Sequence, residues 1–109
     1  MEPNEIETIA RTESLFREVN ERIAESAARF EATRTNFVCE CGDPRCTRQV
    51  EATLAQYERV REDGDAFLLV PGHEDERVEA VVQDGGSHAV VEKRHPIARR
   101  LVLSLDPRA

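Results

Sequence analysis

Along the first third of the chain, Leu15, Phe16, Val19, Ile23, Ala27 and Phe30 recur at steps of three and four, with Glu18, Glu21, Arg22 and Glu25 between them. That spacing gathers the apolar side chains into one stripe of an α-helix. The pattern is continuous from Glu13 to Phe30, and Asn4 with Glu7 looks like a capping pair, so the predicted helix begins near Glu5. Thr33-Arg34-Thr35-Asn36 ends it with residues that favour turns and caps. The stripe is expected to pack on a sheet. A dimer seam through Phe16, Val19, Ile23 and Phe30 is the alternative, but two heptads fall short of a coiled coil.

The remainder changes period. Phe37-Val38-Cys39-Glu40-Cys41 alternates as a strand does, Gly42-Asp43-Pro44-Arg45 is turn chemistry, and Cys46 to Glu51 can return as the second strand of a hairpin. Thr53-Leu54-Ala55-Gln56 matches a capping box, opening a helix with Leu54, Tyr57 and Val60 on one face and Asp63-Gly64 at its end. Phe67 to Val70 is a buried-type strand. Val78, Val81 and Val82 suit a short helix, for which the acidic Glu74-Asp75-Glu76 would complement the dipole; Val78, Ala80 and Val82 suit a strand equally. Asp84-Gly85-Gly86 is a turn and His88 to Lys93 a last strand. In residues 94–109, Leu101, Leu103 and Leu105 alternate between Pro96 and Pro107, a pattern that leaves the structure of the tail open. The fold class expected is α+β: a long N-terminal helix packed on a small antiparallel sheet with a β-hairpin that carries the three cysteines. Residues 1–93 form a single domain and 94–109 a tail.

Composition narrows this picture. The 109 residues include four Phe, one Tyr, one Met and no Trp, so burial rests on smaller aliphatic side chains and a metal staple would matter. The net charge of −7 opposes the electrostatic footprint of a nucleic-acid binder. No apolar run approaches the roughly 20 residues that span a bilayer, and the acidic start lacks the layout of a signal peptide. The basic residues are almost all Arg, with Lys93 the one lysine, as GC-rich codons produce; a high-GC bacterial origin is expected. Lys93, Arg94, Arg99 and Arg100 form a basic patch, read as a solvated tail.

Three cysteines make an odd number, which fits a disulfide framework poorly and a reduced, cytoplasmic setting well. Residues two apart in a strand share a face, so Cys39 and Cys41 present both sulfurs to one side, above Phe37. The turn then brings Cys46 back toward them. Around a tetrahedral Zn²⁺, ligand sulfurs lie about 3.8 Å apart, within reach of same-face side chains. Arg45 and Arg48 are placed to offset the thiolate charge. A fourth ligand must come from elsewhere: His73 is the first candidate, because a Pro-Gly turn after a buried strand can aim it at the hairpin, with His88, His95, another group or water as alternatives.

The segments Phe37-x-Cys39-Glu40-Cys41-Gly42-x-x-x-Cys46, Tyr57-Glu58-x-Val60-Arg61, Pro71-Gly72-His73-Glu74 and Val90-Val91-Glu92-Lys93 resemble a group of small uncharacterised bacterial proteins, as does the helix from Phe16 to Ile23. The resemblance covers roughly residues 12–93 and implies Cys39, Cys41, Cys46 and His73 as a set. It brings no activity, substrate or partner.

The function expected is a small zinc-binding protein with a structural Cys3His site, acting as an interaction or regulatory module. Its partner is a protein of unknown identity, and the chain is a monomer or homodimer. A thiol or metal-sensing switch is one alternative, since clustered thiolates oxidise and then release zinc. A metallohydrolase is the other; it needs water in place of His73 and a base such as Glu40, Glu74 or Asp75. The zinc-deaminase pattern is excluded, because no Cys-x-x-Cys occurs.

Overall fold

The computed structural model describes residues 2–108. It is an α+β arrangement of a long helix, two small antiparallel sheets and two shorter helices. In chain order these are α1 (Pro3–Arg29), β1 (Thr35–Val38), β2 (Gln49–Ala52), α2 (Leu54–Val60), β3 (Ala66–Leu69), β4 (Glu79–Asp84), β5 (Ala89–Lys93) and α3 (Pro96–Ser104). β1 and β2 form a hairpin, but its strands stop short of the predicted 37–41 and 46–51, so Cys39, Cys41 and Cys46 lie in the connection between them; the second sheet has the order β3-β5-β4. No helix among the described residues is long and apolar enough to cross a membrane.

α1 starts earlier than the capping pair suggests, with Glu2 as N-cap and Pro3 in the first turn. Pro suits that position because its missing N–H would have no partner there. Asn4 lies inside the helix, where its carbonyl accepts from Thr8 Oγ1 at 2.8 Å.

The face that α1 buries corrects the stripe read from the sequence. Of the stripe, Ala27 is buried and Ile23 packs on the core, but Leu15 is 61 %, Val19 41 % and Phe30 74 % exposed, and the rest of the buried face includes Ile6, Ala10, Glu13, Arg17, Asn20 and Ala24. Apolar periodicity counts greasy side chains. It does not see polar ones that find partners in the core. Arg17 donates to the carbonyls of Gly64 at 2.6 Å and Val102 at 2.7 Å, tying α1 to α3 and to the turn before β3. Glu13 meets Lys93 Nζ at 2.8 Å, and Lys93 also pairs with Glu79 from β4; all three side chains are fully buried. Phe67 of β3 carries both cations on its ring, with the Arg17 guanidinium 4.6 Å and the Lys93 ammonium 4.5 Å from its centroid.

The predicted helix around Val78–Val82 is a strand. Glu79 to Asp84 pairs antiparallel with β5, with an irregularity between Val81 and Gln83. The acidic segment supports a single turn only, in which the N–H groups of Val78 and Glu79 bond to Asp75 O. Ladder bonds to β5, which no local pattern reveals, then take over. The capping box of α2 forms as expected: Gln56 N donates to Thr53 Oγ1 at 3.0 Å, and Thr53 N to Gln56 Oε1 at 2.8 Å.

The segment after residue 94, left open by its alternation, is α3. Pro96 is its first residue, and its Ala98 and Val102 are buried. Alternate leucines at 101, 103 and 105 mislead here, because the spacing that matters is Ala98 to Val102.

Candidate metal centre

Each ligand-bearing segment is held by a local device. Beyond β1 two bonds hold the chain: Cys39 N bonds to Arg48 O at 3.1 Å, next to the hairpin ladder, and Glu40 N bonds to Leu68 O at 2.8 Å, joining the hairpin to β3. Asp43-Pro44-Arg45-Cys46 is closed by a bond from Cys46 N to Asp43 O at 3.0 Å, and the Asp43 carboxylate accepts from Arg45 N. Gly42 is required by α1: a Cβ there would lie 2.7 Å from Ile9 Cγ2. Val70-Pro71-Gly72-His73 is closed in the same way, His73 N to Val70 O at 3.0 Å. Gly72 has φ +91°, which a type II turn demands at its third position after Pro.

These devices bring the four predicted residues together. One donor atom from each of Cys39, Cys41, Cys46 and His73 lies within 4.8 Å of the other three. His73 Nδ1 is 3.6 Å from Cys39 Sγ and 3.7 Å from Cys46 Sγ. Cys39 and Cys41 are buried, and Cys46 and His73 are half-buried at the rim. All three cysteines are free thiols. The group is arranged to hold a metal ion.

Backbone donors reach all three sulfurs. Cys39 Sγ accepts from Val70 N at 3.2 Å. Backbone N–H groups of Asp43 and Arg48 face the sulfurs of Cys41 and Cys46 and favour their ionised forms. The Cys41 thiol is lowered to about 5, first because Cys39 donates a hydrogen bond to it and against the opposing effect of burial. Cys39 is pushed up, first by making that bond and then by burial, and burial also pushes Cys46 up. A cation entering the cluster would displace the remaining protons. The charge compensation assigned to the Arg45 and Arg48 side chains is not seen: both residues are exposed, and the main chain supplies the donors instead.

The other two histidines lie elsewhere. His95 is the N-cap of α3, its Nδ1 accepting from Ile97 N at 3.2 Å. His88 is buried beneath Gly85 and lines a cavity of about 240 Å³ with Gln56 and Glu92. The carboxylates considered as bases are engaged as well. Glu74 accepts from Gly72 N at 3.1 Å, and Asp75 is held below the usual range chiefly by its hydrogen bond from Arg77.

Glu40 is the residue whose role the sequence hid. It lies between Cys39 and Cys41 in the chain, but its carboxylate is turned to Asn20, Tyr57 and Leu68. It is wholly buried, and its carboxylate accepts from Asn20 Nδ2 at 2.8 Å, Tyr57 OH at 2.8 Å and Leu68 N at 2.9 Å. Burial raises its pKa against the pull of those donors. Tyr57 in turn stacks on Phe37, with ring centroids 4.5 Å apart. The alternation around Cys39 and Cys41 was the available signal, since it sends residue 40 inward.

Compared with known proteins, the chain matches no family model, no curated protein and no solved structure.

Proposed function

We propose that Cys39, Cys41, Cys46 and His73 hold one Zn²⁺ as a structural ion, and that the chain is a zinc-held interaction or regulatory module. The observation that carries this reading is the spacing of unlike donors. With Zn–S bonds of about 2.3 Å and Zn–N bonds of about 2.05 Å, a tetrahedral ion sets sulfur and nitrogen about 3.6 Å apart. The two sulfur-to-Nδ1 separations are 3.6 and 3.7 Å.

Donor chemistry favours zinc over harder cations, because three thiolates and an imidazole form a common closed zinc set. Four protein ligands leave no position for an activated water, and of the two acids adjacent to ligands Glu40 is turned into the core and Glu74 accepts from Gly72 N. A structural ion is therefore preferred to a catalytic one. The clustered free thiols suit a reduced, cytoplasmic setting. The acidic charge favours a protein partner over nucleic acid, and the resemblance of the Cys and Pro-Gly-His segments supports a bacterial origin.

Native mass spectrometry of untagged protein is the test. One zinc mass per chain is expected, and the same spectrum separates monomer from homodimer. Chelation should then lower the thermal midpoint followed by circular dichroism, since ion binding and folding are linked in small zinc domains. An unchanged melt after metal removal would refute a structural ion.

A further inference from the structure

The four donors are not equally shielded. Cys39 and Cys41 are each 2 % exposed, whereas Cys46 is half-buried beside His73 at the rim. Both buried sulfurs face a backbone N–H, of Val70 for Cys39 and of Asp43 for Cys41, but the two residues differ in backbone freedom. Cys39 is fixed at both ends of its residue, its N–H on Arg48 O and its sulfur on Val70 N. Cys41 lies past the last ladder bond, next to Gly42, in the loop that the Asp43–Cys46 turn folds back on itself. Its sulfur and that of Cys46 lie within 4.8 Å, and four residues separate them in sequence. Closing a disulfide requires the sulfurs to approach to about 2.05 Å, a movement the loop between them can supply and the Cys39 backbone cannot.

We infer that Cys46 is an oxidation site, attacked by a peroxide and resolved by Cys41, and that this modification opens the metal centre. The inference rests on the zinc reading above. In the first step the Cys46 thiolate attacks one oxygen of hydrogen peroxide; an S–O bond forms, the O–O bond breaks, and hydroxide leaves with Cys46 as its sulfenic acid. In the second, the Cys41 thiolate attacks that sulfur and displaces a second hydroxide, forming the disulfide. Two thiolates are oxidised by two electrons, and one peroxide is reduced. Cys39 and His73 alone remain as ligands, too few to retain the ion, which leaves. A thiol reductant reverses the disulfide and restores the site.

The test uses the unaltered, reduced protein, so no variant's folding enters. Its zinc content is read first by native mass spectrometry. Hydrogen peroxide is then added in excess with a chromophoric zinc chelator present, while dimedone traps sulfenic acid for peptide mapping. Expected are release of one zinc per chain, the first dimedone adduct on Cys46, a Cys41–Cys46 disulfide when dimedone is omitted, and recovery of zinc binding after dithiothreitol. Retention of zinc through the treatment, or a first adduct on Cys39 or Cys41, would overturn the oxidation site and leave the zinc reading standing. Absence of zinc from the reduced protein would overturn both.

Discussion

Val70 N donates to Cys39 Sγ at 3.2 Å although 31 positions separate the two residues. The bond joins the end of the hairpin to the end of β3, and His73 follows through the Pro71-Gly72 turn. Cys39 is held from two directions, its N–H on Arg48 O and its sulfur on Val70 N. The three cysteines of the hairpin connection and the histidine that follows β3 are thereby brought to one point.

Cys39→Ser should therefore be more damaging than His73→Ala. The serine variant loses a thiolate ligand and weakens the Val70 contact, whereas loss of His73 leaves three sulfurs that water can complete. Competition with a chromophoric chelator should rank the affinities as wild type, then His73→Ala, then Cys39→Ser. Equal affinity of all three would contradict the assignment of ligands.

Glu40→Ala should cost about 3 kcal/mol or more in urea unfolding, because each buried donor left without its acceptor costs about 1–3 kcal/mol. Three donors depend on this carboxylate. Glu40→Gln keeps one acceptor oxygen and sets an N–H₂ against an existing donor, so its loss should be smaller. A neutral Glu40→Ala would mean that water fills the space and satisfies the donors.

The corrected face of α1 gives a paired test. Arg17→Ala strips one buried and one part-buried carbonyl of their donor and uncovers one side of Phe67, so a loss of about 3 kcal/mol is expected. Leu15→Gln, on the exposed stripe, should stay within about 0.5 kcal/mol of wild type. The reverse ranking would restore the apolar stripe as the packing face.

Glu13 should shape the pH dependence of stability. Burial, outweighing the attraction of Lys93, holds its pKa well above the ordinary 4.5. The folded state thus binds this proton more tightly than the unfolded chain does. Its contribution is fully present below about pH 4.5 and is lost as pH rises through the folded pKa. Glu13→Gln cannot ionise, so its stability relative to wild type should increase between about pH 5 and pH 8. A difference that stays constant over that interval, measured by urea unfolding, would show that Glu13 does not titrate there.

How far these features could be read in advance depended on whether their physics is local. The metal cluster was legible because strand alternation, a Gly-Asp-Pro turn and a Pro-Gly turn each act over a few residues. The α2 capping box was legible for the same reason. The inward face of α1 was not, since Glu13, Arg17 and Asn20 are core residues only by virtue of partners on β5, α3 and β1. β4 was misjudged because its pairing with β5 is set across the sheet while its own valines fit two periods. Ala98 and Val102 escaped notice as a helix face because small residues leave a faint apolar signal.

Lys93 has a practical corollary. It is the sole lysine of the chain, and it lies sealed between Glu13, Glu79 and the ring of Phe67. The folded surface therefore offers acylating reagents no side-chain amine, and this residue reacts only in molecules that have opened. The speed at which it acquires such a label becomes an intrinsic clock for transient unfolding, with no probe engineered into the protein.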